Sequence, residues 1–457
     1  MPSLYIHIPF CLKRCIYCDF VSGIYSPEKE AAYLEALKKD ILNISDEIYP
    51  SPIPIPQGEG VRGRVFTPHL PRSAGLETLY IGGGTPTVLS EEGISDLITH
   101  IFKNLPFIKD CEATIEANPG TINSEKLKAL LSSGINRISI GVQSFNDREL
   151  EFLGRIHTSD EAGKSVLLAR DAGFKNIGID LIYGIPGQDI ESWKETLQKA
   201  VSLKPTHISA YELTVEEGTL LYEYMKDGYN KNNLKNPPQS PFVKGGDKFR
   251  LDSILLLDKG EEKLLLNTHP PLEKGGKGGF LEEDKIIEMY NYAIDYLQSQ
   301  GFVHYEISNF ALPDYFCRHN VNYWDRGEYY GAGLAAHSFI NEALLHSAAI
   351  NGKRFYNTDS LEDYINAVLS GKTPVQKTED ITEKKALSEA IFLGLRKTQG
   401  VNLETFHKKY GKNLQDVYRK EIEVFKGAGL IEIDGSDFLR LTRKGILLSN
   451  EVFVKFI

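Results

Sequence analysis

Excess basic charge is missing from this chain. Its 457 residues carry 52 Lys and Arg against 62 Asp and Glu, a formal net charge of -10. Binding along a phosphate backbone needs clustered cations, so nucleic acid is excluded as a partner class and the acidity reads as solubility. Long apolar runs are missing too. No stretch approaches the roughly 20 residues of a membrane helix, which leaves at most peripheral membrane contact. No basic region precedes the apolar start, and His7 and Pro9 interrupt it, so no signal peptide is expected and a cytoplasmic location follows. Cysteine is scarce: five in the chain, too few for a disulfide framework. Three of them, Cys11, Cys15 and Cys18, nevertheless fall within eight residues. In a reducing compartment such crowding points to a metal site.

What is present begins with alternation. Strand patterns at Leu4–Pro9, Thr78–Ile81, Ala113–Glu116, Arg137–Val142, Ile177–Ile182 and His207–Tyr211 alternate with helical ones. The clearest helical stretches are Lys29–Ile44, Glu91–Phe102 and Glu191–Ser202, and Asp284–Gln300 closes the region. This order predicts an α/β fold with a parallel sheet and crossover helices. No dinucleotide fingerprint accompanies it, so a partial (β/α)6 barrel over residues 1–310 fits better than a Rossmann sheet. Two Pro/Gly-rich segments, 49–75 and 228–280, read as flexible insertions. The second repeats Pro-Pro, five residues, Lys-Gly-Gly at 237 and at 270, too short a unit to stack a core. Residues 311–457 form a mainly helical second domain. A strand pair and helix from Gly429 onward give it a winged-helix-like end.

The cysteine loop follows the first strand directly, with spacing CxxxCxxC. Active sites of βα barrels sit at that end of the strands. Three sulfurs suit a soft metal or an iron–sulfur cluster. A structural zinc site wants a fourth ligand, and Asp19 and Phe20 follow instead of Cys or His. Three thiolates on a four-iron cluster leave one iron open to a small molecule. A zinc site completed from elsewhere is the alternative.

The other marked motifs also fall at strand ends. Gly82-Gly83-Gly84-Thr85-Pro86 follows the second strand, where glycine lets backbone approach a ligand. Glu116, Gln143 and Asp180 end or interrupt the next three, and polar groups in apolar strands need partners. Arg155, in Leu-Gly-Arg-Ile-His157, is suited to a carboxylate. A structural hydrogen bond explains each of these residues singly as well as a ligand does.

Together these motifs resemble the radical-SAM superfamily. The resemblance implies a [4Fe–4S] cluster on Cys11, Cys15 and Cys18, with S-adenosylmethionine chelating the open iron and an unnamed donor supplying one electron. It implies a methionine-binding stretch at Gly83, Gly84 and Thr85, with Tyr5, Tyr17, Glu116, Gln143, Arg155 and Asp180 completing the cofactor site. Tyr-Ile-His-Ile-Pro-Phe-Cys at 5–11 and Asp-Leu-Ile-Tyr-Gly-Ile-Pro-Gly-Gln at 180–188 resemble the coproporphyrinogen-oxidase-like branch. Oxygen-independent coproporphyrinogen III dehydrogenases carry a fourth cysteine two positions after the third, where this chain has Phe20. HemW-type haem chaperones carry Phe there and add an HNxxYW motif. His319-Asn320-Val-Asn-Tyr323-Trp324 is similar to it.

Imidazole and thiolate both ligate haem iron. His319 is therefore the expected ligand, ahead of Cys317 and His337, with Tyr323 and Trp324 as flat apolar contacts. Arg318 is the expected partner of a propionate. The bland alternative is that this group caps the barrel. The resemblance implies a haem chaperone that delivers haem to respiratory cytochromes. Radical decarboxylation of coproporphyrinogen III is the competing activity.

Overall fold

A computed structural model describes residues 2–48, 75–226, 281–341 and 351–457. Save for Gly75, the two expected insertions lie outside the described residues. The first strand, β1 (Ser3–Ile8), leads into a short parallel pair, β2 (Phe10–Cys11) and β3 (Gly23–Ile24). Then come β4 (Leu76–Gly83), β5 (Phe107–Ala117), β6 (Arg137–Gln143), β7 (Asn176–Tyr183) and β8 (His207–Glu212). Apart from β2 and β3 these strands pair in chain order, all parallel. Crossover helices at Pro27–Ile48, Glu91–Asn104, Ser124–Ser132, Ser159–Ala172 and Ile190–Ser202 link them.

Alternation along the strands explains the layering. Leu4, Ile6, Ile8, Leu79, Ile81, Ile115, Ile138, Ile140 and Ile179 are buried in the main apolar core. Their neighbours Tyr80, Glu116, Ser139, Asp180 and Ser209 bond to one another on the other face. A parallel sheet buried on both faces ordinarily reads as continuously apolar. The polar inner face instead lines a lumen.

The sheet does not close. The antiparallel pair β9 (Val303–Glu306) and β10 (Asn309–Ala311) adds to β8. At the other edge β11 (Tyr329–Ala332) pairs parallel with β1. Beyond it lie β12 (His337–Ile340), β13 (Lys353–Asn357) and β14 (Val375–Asp380), giving a 12-stranded open order. The expected division at residue 310 thus falls within one sheet.

A second core gathers Ile391, Phe392, Phe406, Phe425, Leu439, Phe453 and Phe456. Its small sheet is β15 (Val401–Asn402), β16 (Ile431–Ile433) and β17 (Phe438–Leu441), with β17 central. Helices at Glu383–Gly394, Leu403–Tyr410 and Arg419–Gly427 surround it, and Arg443–Leu447 follows the β16–β17 hairpin. A buried ion cluster joins the two units. Glu389 on the Glu383–Gly394 helix accepts from Arg326 at 2.8 Å and from Arg354 of β13 at 3.1 Å.

Candidate functional site

The cysteine loop is tied down at its base. Gly23 N donates to the Pro9 carbonyl at 2.8 Å and Tyr25 N to that of Cys11 at 3.0 Å. The glycine run is laced to the same strand, with Gly84 N on Ile8 O at 2.8 Å and Thr85 N on Phe10 O at 2.7 Å. Two of the sulfurs have side-chain donors. Thr85 Oγ1 lies 3.6 Å from Cys11 Sγ, and Arg155 Nη1 lies 3.4 Å from Cys15 Sγ. All three thiols are free. Burial raises the thiol of Cys11, and pushes that of Cys18 up to about 12. Such thiols ionise when a metal takes the proton's place. Three free thiols in one tethered loop, two with donors aimed at sulfur, fit an iron–sulfur cluster. Among the described residues no three His, Cys, Asp or Glu side chains gather closely enough for a single ion.

Glycine is needed at two points of the run. Gly83 has φ +111°, and a Cβ there would lie 2.7 Å from the His7 ring. A Cβ at Gly84 would lie 2.7 Å from the Phe10 carbonyl oxygen. The space beside Gly83, expected to take the methionine group, is therefore filled by His7. What the run offers a ligand is backbone.

Both carboxylates are buried and bonded within the lumen. Glu116 Oε1 accepts from Tyr80 Oη at 2.8 Å and Oε2 from Gly83 N at 3.1 Å. Burial pushes its carboxyl up to about 7. Asp180 accepts from Ser209 at 2.7 Å and from Ser139, and burial raises it as well. Arg155 bonds the Asn118 Oδ1 and the Gly141 carbonyl, each at 2.6 Å, besides Cys15. Asn118 donates in turn to Thr85 Oγ1 at 2.7 Å, closing a ring from one cysteine to another. Gln143 ends β6 at φ +68°, a conformation few non-glycine residues adopt. Tyr5 bonds His7 Nδ1 at 3.0 Å, and Tyr17 packs on the apolar cluster of Ile16, Leu153 and Ile185 below the loop.

Asn118 was not singled out by sequence, although it sits in Asn-Pro-Gly directly after a strand. His7 was read only as a break in an apolar run. The structure makes it the packing partner of Gly83.

The HNxxYW residues lie elsewhere than expected. His319, expected to offer its imidazole to iron, is 1% exposed, with Nδ1 2.7 Å from Thr78 Oγ1 at the start of β4. Its Nε2 is 2.9 Å from Tyr323 Oη, so both ring nitrogens are engaged. Cys317 is buried beside Glu112. Trp324 packs on the second core, with the Arg396 guanidinium 4.4 Å above its ring. His337 stacks edge-on with Tyr356 at 4.5 Å. Arg318 donates to the Asp110 carbonyl at 2.7 Å, not into an open pocket. These placements correct the picture of an open imidazole flanked by flat aromatic faces.

Exposed apolar side chains instead rim the cysteine loop. Leu12 is 47%, Phe20 49%, Ile24 42% and Ile156 52% exposed. Leu12, Lys13, Thr85, Asn118, Arg155 and Ile156 line the cleft that opens beside Cys15. Among the described residues no helix is long and apolar enough to cross a membrane.

Residues 70–200 match the radical SAM superfamily model, and residues 381–448 match the HemN C-terminal domain. The haem chaperone HemW of Bacillus subtilis is 32% identical over 459 residues, covering 100% of this chain and 99% of that protein. HemW of Lactococcus lactis is 33% identical, covering 100% and 97%. The structure of coproporphyrinogen III oxidase (HemN) from Escherichia coli superimposes with a TM-score of 0.71 at 21% identity, covering 100% of this chain and 90% of that one, which establishes a shared fold. Identity of this degree, sustained from one end of the chain to the other, means that the chain belongs to the HemW family of the radical SAM superfamily.

Proposed function

We propose that this protein is a haem chaperone that binds haem and passes it to a haem-accepting respiratory cytochrome. The observation that carries this reading is the end-to-end identity with proteins named as haem chaperones. The rim supports it. Phe20 is exposed beside the cysteine loop, with Leu12 and Ile156 close in the same region and Lys13 and Arg14 next to them in sequence. Apolar contact flanked by cations suits a flat macrocycle bearing two carboxylates.

Cys11, Cys15 and Cys18 would hold a [4Fe–4S] cluster, with Arg155 and Thr85 fixing two of the sulfurs. A cluster held by these residues, with S-adenosylmethionine beside it, would supply one-electron radical chemistry. Gly83 and Gly84 would present backbone to the cofactor's methionine end, with Glu116, Gln143 and Asp180 lining the lumen beyond. Residues 1–310 would form the barrel unit and residues 311–457 the second domain, with β11 to β14 extending the barrel sheet.

The Glu116 carboxyl gives this site a pH dependence. Below about pH 7 it is protonated and neutral, and above that it is a carboxylate. S-adenosylmethionine carries a sulfonium cation, so it pairs better with the carboxylate. Its affinity is expected to rise between pH 6 and pH 8, by about tenfold at most. In Glu116→Gln the profile should flatten. An equally steep rise in that variant would assign the titration to another group.

The function is tested by titrating haem into the anaerobically purified protein and, separately, incubating the protein with coproporphyrinogen III, reductant and S-adenosylmethionine. Stoichiometric haem binding without vinyl products is expected. Decarboxylation without haem binding would make the chain a dehydrogenase despite Phe20.

A further inference from the structure

The helix Arg318–Trp324 touches the lumen at one end and the second domain at the other. Its N-terminal end is anchored in the lumen. Glu112 accepts from Arg318 N and His319 N, each at 3.2 Å. The carboxylate thus satisfies two of the amides a helix start leaves open. His319 stacks on Tyr80, ring centres 5.0 Å apart and 29° between planes. Tyr5 completes the group, 6.3 Å from Tyr80 and 6.5 Å from His319. Tyr80 is the residue whose hydroxyl holds Glu116, and Glu116 in turn holds Gly83 N.

The other end is anchored in the second domain. Trp324 packs on its core beneath Arg396. Lys397 bridges to Asp325, and Arg326 reaches Glu389. The helix is seven residues long, so these anchors are about two turns from the lumen.

Burial keeps the His319 imidazole neutral, lowering its proton affinity to about 3. A neutral imidazole offers one donor and one acceptor. Thr78 and Tyr323 take both, which a phenyl ring of similar size could not supply. Iron at Nε2 would have to displace Tyr323 and open the floor.

We propose that the Arg318–Trp324 helix positions the Glu116–Gly83 end of the S-adenosylmethionine pocket, acting through His319 and Tyr80, and so ties that pocket to the second domain. The inference rests on the reading that Glu116 and Gly83 hold S-adenosylmethionine. His319 is a positioning residue in this scheme. Without its ring the Tyr80 phenol loses its platform, and Glu116 loses one of its two fixed partners. Coupling through such packed chains has to be demonstrated by perturbing each end.

The experiment uses the full chain with its cluster reconstituted anaerobically. S-adenosylmethionine affinity is measured by calorimetry, the cofactor-induced change in the reduced cluster by electron paramagnetic resonance, and haem binding by the Soret band. His319→Ala and Tyr80→Phe are expected to weaken S-adenosylmethionine by about 2- to 30-fold and blunt the resonance change, with cluster absorption and Soret band retained. His319→Gln, which keeps a donor and an acceptor, should recover most of the affinity. Trp324→Ala, at the far end, should show a smaller loss of the same kind. Should His319→Ala not fold, Tyr80→Phe and Trp324→Ala carry the test. Normal affinity in Tyr80→Phe and Trp324→Ala overturns the proposal, as does a His319→Ala protein that loses its Soret band but binds S-adenosylmethionine normally. If Glu116→Gln also leaves affinity unchanged, the pocket itself has been misassigned. If Glu116→Gln weakens binding while the other variants do not, only the coupling is lost.

Discussion

Cys15→Ser will abolish the near-visible absorption of the reconstituted cluster, while Cys111→Ser will leave it intact. Cys15 lies in the tethered loop, with Arg155 Nη1 at 3.4 Å from its sulfur. Removing one of three thiolates leaves an iron without a protein ligand, and a serine hydroxyl is a poor replacement for a soft donor. The expected loss is close to complete. Cys111 sits near the start of β5, far along the strand from the residues that meet the loop. Burial pushes its thiol up to about 12, so at neutral pH it stays protonated and behaves as a small apolar side chain. A colourless Cys111 variant would contradict the three-thiolate assignment.

Glu389→Ala will produce the largest loss of stability. The side chain is fully buried and bonds two guanidinium groups, Arg326 and Arg354, that are themselves buried. Both arginines also lie over the Phe339 ring, at 4.6 and 5.6 Å. Removing the carboxylate leaves Arg326 without its carboxylate partner and Arg354 with Glu379 alone, away from water, which costs roughly 3–5 kcal/mol. A fall in melting temperature of about 10 °C follows for a unit of this size. Glu404→Ala, which breaks only the exposed pair with Lys408, should change little. Equal melting temperatures for the two variants would mean that water reaches the cluster around Glu389.

Much of the barrel was legible because its strands are short, β-rich and regularly spaced. All six expected strands are present, five of them within two residues of their expected ends, while β5 starts six residues before the expected Ala113. The cysteine spacing and the glycine run were legible for the same reason, since both are local. The helices Ser124–Ser132 and Ser159–Ala172 were not picked out, although each begins on a side-chain cap, Asn123 and Thr158. The strand pair after Gly429 was legible, whereas β11 to β14 were hidden. Whether β11 pairs with β1 is settled by contacts between distant residues, which a local pattern does not carry. The placement of His319 failed for a related cause. A His–Asn–Tyr–Trp group reads the same whether it faces solvent or packs under Tyr80. Only the three-dimensional register of Thr78 and Glu112 distinguishes the two.

The pairing of β11 with β1 has a kinetic side. Ser3 and Leu4 face Tyr329 and Tyr330 across the sheet. On the ribosome β1 emerges before its partner on that side, which follows roughly 300 residues later. At about 5–20 residues per second that delay is on the order of 15–60 s. Throughout it, β1 presents one row of bare amides and carbonyls to whatever else is in reach. The nascent sheet therefore carries an unpaired edge at β1 until β11 has been made.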